Sequence, residues 1–146
     1  MAGTNEATWA GEPRFEEAEL VAFVARLFAA VGVGEAESRL SAEALVIADR
    51  RGIESHGVAR LPGFIGRIRQ GHIDPVAELS VERETPSTIA FNGNNGLGLT
   101  LGRRAMQRCI AKAEETGICM ATVRRSNHFG IAGTYALMAA ERGMGG

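Results

Sequence analysis

The sequence predicts an α/β protein, in which an N-terminal helical subdomain precedes an incomplete, non-Rossmann layer of strands and helices. Three observations carry this expectation. Apolar residues recur at helical spacing as far as Gly71, and after Asp74-Pro75 the pattern changes to short strands alternating with helices. The glycine-rich run "GNNGLGLTLG" (93–102) places Gly93, Gly96 and Gly98 as G-x-x-G-x-G, not the G-x-G-x-x-G of a dinucleotide fingerprint.

Leu20, Val24, Leu27, Phe28 and Val31 define the first helix, which Gly32 and Gly34 end. A second helix is expected from Glu35 to Asp49, with Leu40, Ala44 and Ile47 on one side. Leu61, Phe64, Ile65 and Ile68 mark a third, closed by Gly71. Pro62 within a continuous helix would clash with the carbonyl of Val58, so it is expected to start a new segment after a bend at residues 59–61. "ELSVE" (78–82) and "STIAFNG" (87–93) read as strands around a turn at Thr85-Pro86. A helix over 96–117 ends at Gly117, "ICMATV" (118–123) reads as a buried strand, and a last helix covers 131–143. The expected organisation is a flexible tail (1–14), a helical subdomain (15–75) and the start of an α/β domain (76–146). Three short strands make a thin sheet, so the second layer reads as unfinished.

Composition narrows the function classes. The 146 residues are 45% hydrophobic and 23% charged, with a net charge of −1. Such a balance suits a soluble globular chain and supplies no field to recruit nucleic acid or anionic lipid. The clusters Arg103, Arg104, Arg108 and Arg124, Arg125 read as solvated faces. Cys109 and Cys119 lack CxxC spacing and read as reduced, buried thiols of a cytoplasmic protein. The polar, acidic N-terminus is unlike a secretory signal, and no apolar stretch is long enough to span a membrane. His56, His72 and His128 form no metal-ligand cluster, and His72 reads as a surface or capping residue beside Gly71.

Two polar islands remain. In "RGIESHGVARLPGFIGRI" (51–68), helical spacing would put Arg60 on the same face as His56, beside Ser55, with Gly57 leaving room for a ligand. An imidazole exchanges a proton near neutral pH, and a guanidinium grips a carboxylate bidentately, a pairing that suits a 2-hydroxy or 2-oxo acid. A core histidine satisfied by Ser55, with Arg60 in solvent, is the competing reading. His128 follows "ICMATV" in "RRSNHFGIAGTYA", where polar residues at a strand end precede a helix. Ligand binding and simple helix capping by Ser126 or Asn127 both fit there. For the glycine-rich run, a tight turn with glycines at positive φ is favoured over a phosphate cradle.

Together, "ADRRGIESHGVARLPGFIGRIRQGHIDP" (48–75), "NGNNGLG" (92–98) and "VRRSNHFGIAGTYALMAAERG" (123–143) resemble the malate/L-lactate dehydrogenase family, whose fold is not Rossmann. Ureidoglycolate, sulfolactate and Δ1-piperideine-2-carboxylate enzymes belong to it. The resemblance runs from Phe15 to the last residue. It implies an oxidoreductase that uses NAD or NADP on a small 2-hydroxy/2-oxo acid or cyclic imino acid, and a homodimer when full length. It assigns Ser55 and His56 to a proton relay, Arg60 to the substrate carboxylate, and His128, Phe129, Gly130, Ile131 and Ala132 to the cofactor. In some members the histidine matching His128 is the proton acceptor instead, so the catalytic base stays open between the two. Residues 76–146 would then begin the cofactor/substrate domain. Family members extend well past the position of Gly146, so the chain is expected to be an N-terminal part, inactive alone.

Two other functions compete. One is a non-catalytic remnant acting as a binding or dimerisation module. The other is a Ser-His hydrolase, disfavoured because neighbouring residues seldom meet on a helix and G-x-S-x-G is absent.

Overall fold

The structure, a computed structural model, describes residues 14–146. The expected N-terminal tail lies, but for Arg14, outside the described residues. Helix α1 (Glu17–Ala29) packs against both α2 (Glu35–Arg50) and α3 (Leu61–Arg69). Each forms where periodicity predicts, and Gly32, at φ 91°, reverses the chain between the first two. Pro62 stands in the first turn of α3, where its missing N–H costs nothing. Gly71, at φ 73°, ends that segment.

Strands β1 (Ser80–Glu84) and β2 (Thr88–Asn92) form an antiparallel hairpin, and β3 (Met120–Arg124) joins β2 in parallel. Between them runs α4 (Gly98–Thr116), stopped by left-handed Gly117, and α5 (Gly133–Ala140) follows β3. The hairpin turns at 85–87, where the Thr85 N–H donates to the Thr88 carbonyl (2.9 Å). β1 begins two residues later than expected, and its register shifts between Val81 and Arg83.

The main core joins Val24 and Phe28 of α1, Leu45 of α2 and Phe64 and Ile68 of α3. Phe28 and Phe64 meet with ring centroids 6.2 Å apart. Leu97 and Leu99, at the start of α4, close the same cluster, which ties the strand layer to the helices. A smaller core of Ile89, Phe91 and Ala105 lies between sheet and α4.

Three expectations are corrected. The "ICMATV" strand is not buried: Ile118 and Met120 are 69% and 62% exposed, because one side of β3 borders an open apolar trough of about 990 Å³. Positive φ in the glycine-rich run falls on Asn94 (49°) and Asn95 (63°), not on its glycines. The glycines are needed for close approach: a Cβ on Gly96 would come within 2.9 Å of Ala77 and Leu101 side-chain carbons. The arginine clusters are not simply solvated either, since Arg104 pairs with Glu37 of α2 and Arg124 with Glu82 of β1. Cys109 and Cys119 are free thiols, half-buried, and burial pushes the Cys109 thiol up to about 11.

Candidate active site

Between α2 and α3 the chain makes two 3-10 turns, Glu54–His56 and Val58–Arg60, joined at Gly57. Backbone N–H groups of His56 and Arg60 donate to the carbonyls of Ile53 and Gly57, each at 2.9 Å. His56 and Arg60 therefore do not share an α-helical face, as simple spacing suggested. The tighter turns bring the groups together differently. Arg60 folds back so that its Nε donates to the Ser55 carbonyl at 2.6 Å. The Ser55 hydroxyl lies 2.9 Å from His56 Nδ1, a contact that an α-helix would have denied to neighbours. The space above Gly57 is filled by the Asp49 carboxylate rather than left for a ligand.

His128 arrives from the carboxyl end of β3. Arg125, at φ 50°, turns the chain out of the strand. Asn127 Nδ2 then donates to the carbonyls of Asn95 (3.2 Å) and Gly96 (2.9 Å), while Arg67 donates to its Oδ1 (3.2 Å). A Cβ at Gly98 would overlap the carbonyl oxygens of Asn127 and His128, so only glycine lets this loop lie on α4.

The result is an imidazole pair assembled from residues far apart in the chain. The rings of His56 and His128 have centroids 5.2 Å apart, and Phe64 meets His128 edge-on at 6.0 Å. The Gly130 N–H donates to His128 Nδ1 at 3.1 Å, so that nitrogen acts as acceptor. With Nδ1 of His56 engaged by Ser55, both rings leave Nε2 without a hydrogen-bond partner among the described residues. Partial burial, then the nearby His56 and Arg60 charges, push the His128 pKa below its ordinary value. Both effects favour the neutral form of the ring.

Along His128–Ala132, Phe129 is 47% exposed, whereas Ile131 is buried and contributes packing. A nicotinamide cofactor fits this stretch on two observations. The Phe129 ring is about half exposed, with Tyr135 5.5 Å away, and among the described residues nothing lies within 4 Å of the Cβ position of Gly133. Beside it, a largely apolar cavity of about 120 Å³ between α2, α4 and α5 is also lined by Arg103, Thr134 and the acidic Glu43. Among the described residues, Arg103 Nε and Thr134 Oγ1 are buried without a partner, donors that a carboxamide oxygen could satisfy. Sequence reasoning missed Asp49 and Arg67. The one signal for Asp49 was an acid in the last turn of a helix, where the dipole disfavours it. Among the described residues, no three His, Cys, Asp or Glu side chains form a group able to hold a metal.

The family model described as malate/L-lactate dehydrogenase matches residues 15–146. A malate dehydrogenase from Pyrococcus abyssi is 45% identical over 131 residues, covering 90% of this chain and 36% of that protein. An L-sulfolactate dehydrogenase from Methanocaldococcus jannaschii is 37% identical over 113 residues, covering 77% of this chain and 33% of its own length. The solved malate dehydrogenase of Pyrococcus horikoshii OT3 superposes with a TM-score of 0.88 at 44% identity, over 90% of this chain and 38% of that one. The chain thus spans about a third of the length of these relatives.

Proposed function

Because the chain belongs to the malate/L-lactate dehydrogenase family, we propose that it carries the proton-transfer and substrate-anchoring side of an NAD(P)-dependent oxidoreductase. Its substrate is a 2-hydroxy/2-oxo acid or a cyclic imino acid. The observation that carries this reading is the convergence of Ser55, His56, Arg60 and His128 from two separated segments. A non-catalytic binding module is not favoured, since the similar proteins are named dehydrogenases and such a module needs no convergent imidazoles.

When bound, the nicotinamide cofactor supplies or accepts hydride; the protein handles the proton and the carboxylate. Ser55 holds Nδ1 of His56, leaving Nε2 to face the reacting oxygen or nitrogen of the substrate. In the reducing direction, protonated His56 donates its Nε2 proton to the oxygen developing negative charge at C2. In the oxidising direction, neutral His56 takes the hydroxyl proton. Arg60 exchanges its Ser55 carbonyl partner for the substrate carboxylate, which it can grip bidentately. His128, whose surroundings favour its neutral form, lines the site with Phe64 and Phe129. Phe129, with the backbone of Gly130, Ile131 and Ala132, contacts the cofactor.

NAD and NADP are both compatible with these residues. A homodimer in the cytoplasm is the assembly and location that fit the family and the free cysteines. The test is kinetic. The complete protein should oxidise NADH or NADPH only when a 2-oxo or cyclic imino acid is added, and a chelator should not abolish the activity. No consumption with any such acid would overturn the reading, and activity lost to a chelator but restored by zinc would remove its metal-free chemistry.

A further inference from the structure

Asp49 stands in the last turn of α2, where the helix dipole opposes a negative charge. Arg50 and Arg51 follow it, yet Arg50 pairs with Glu17 of α1 instead. The carboxylate points to the turn nine residues on. Its Oδ2 accepts the Val58 N–H at 2.8 Å, the first free amide of the turn that ends at Arg60. On the other side it covers Gly57: a Cβ there would overlap Oδ1 and Cγ of Asp49. Gly57 has φ −87° and ψ −156°, an extended conformation at negative φ and not the left-handed one that favours glycine. Glycine is therefore required by the carboxylate and not by the backbone. A residue that breaks a local helix rule and also dictates a glycine is held there by something other than helix stability.

We propose that Asp49 is a positioning residue, which fixes His56 and Arg60 by clamping the Gly57–Val58 junction between their two turns. His56 immediately precedes the clamped junction, and Arg60 closes the turn that the Val58 N–H opens. Without the carboxylate, that amide loses its acceptor and the two turns can rotate about Gly57. The Ser55–His56 contact and the reach of Arg60 would then no longer be set together.

The inference rests on the proposed dehydrogenase role only for its kinetic readout, so the experiment adds a second readout. In the complete protein, the His56 Cε1–H resonance is followed by NMR, assigned by its disappearance in His56→Ala. Turnover with a 2-oxo acid is measured alongside. Gly57→Ala should shift the resonance and lower kcat/KM more than tenfold, with kcat falling more than KM rises. Asp49→Ala should do the same. In the Asp49→Ala background, adding Gly57→Ala should cost less than threefold further, because the overlap is gone. Asp49→Asn keeps an acceptor oxygen and should stay within threefold of the parent. If Asp49→Ala does not fold, Gly57→Ala compared with Asp49→Asn decides alone. The proposal is overturned if Gly57→Ala leaves the His56 resonance unmoved, or costs as much with Asp49 removed as with it present. Should the protein show no dehydrogenase turnover, the resonance still tests the clamp, so the two failures are distinguishable.

Discussion

The turn carrying His56 and the loop carrying His128 place similar side chains by different means. The first is held from one side, by the end of α2, through Asp49 and the Ser55–His56 contact. The second is held by the asparagine turn after β2, with Asn127 bridging Asn95, Gly96 and Arg67. His56 keeps a hydroxyl partner, and Arg60 is tied back to the carbonyl of the neighbouring Ser55. His128 has a backbone amide on Nδ1, an aromatic edge on its flank and a lowered pKa. The two imidazoles sit in different surroundings, and in the proposed division His56 is the one that exchanges the proton. Two histidines in contact need not share a role; their partners divide it.

The largest effect expected from breaking this division is on turnover. His56→Ala should lower kcat by roughly 10²–10⁴-fold, the usual worth of a positioned acid or base, and leave cofactor affinity nearly intact. Steady-state kinetics beside cofactor titration would check it.

Arg60→Lys comes next. The lysine keeps the charge but loses the planar fork, so kcat/KM for a 2-oxo acid should fall at least tenfold, about 1.4 kcal/mol or more. Values within twofold of the parent would remove Arg60 from the substrate.

On the His128 side, Asn127→Ala should cost about 1–3 kcal/mol of stability, because the Gly96 carbonyl and the Arg67 guanidinium lose a partner. A denaturation midpoint unchanged from the parent would show that the loop is held by other contacts.

The smallest effect concerns pH. A depressed folded-state pKa means that the unfolded chain binds the His128 proton more readily. Its contribution to stability is present above the ordinary histidine value of about 6.5 and is lost as pH falls through and below it. His128→Gln should therefore flatten the acid side of the stability profile; an unchanged slope between about pH 5 and 7 would contradict the shift.

Much of this was legible in the residue order. The periodicity of Leu20 to Val31 and of Leu61 to Ile68, the glycine at 117 and the placement of Pro62 are local signals, and each produced its element. The Ser55-His56 and His128-Phe129-Gly130 islands were also visible, each readable either as chemistry or as local structure. What failed to show was contact at a distance. Nothing near Gly57 announces that Asp49 fills its side-chain space, and nothing near Gly98 announces the carbonyls of Asn127 and His128. The exposure of Met120 depends on what packs beside β3, which an apolar run cannot encode. Asparagine also took the left-handed positions expected of glycine, because its short polar side chain tolerates φ near 50–60°.

The most direct test of the divided roles is cofactor affinity by fluorescence titration, measured with turnover, for His56→Ala and His128→Ala in parallel. The account predicts that His56→Ala binds NADH or NADPH normally and turns over slowly, and that His128→Ala loses cofactor affinity first. If His56→Ala turns over normally while His128→Ala binds cofactor normally and is inactive, the roles are reversed and His128 moves the proton.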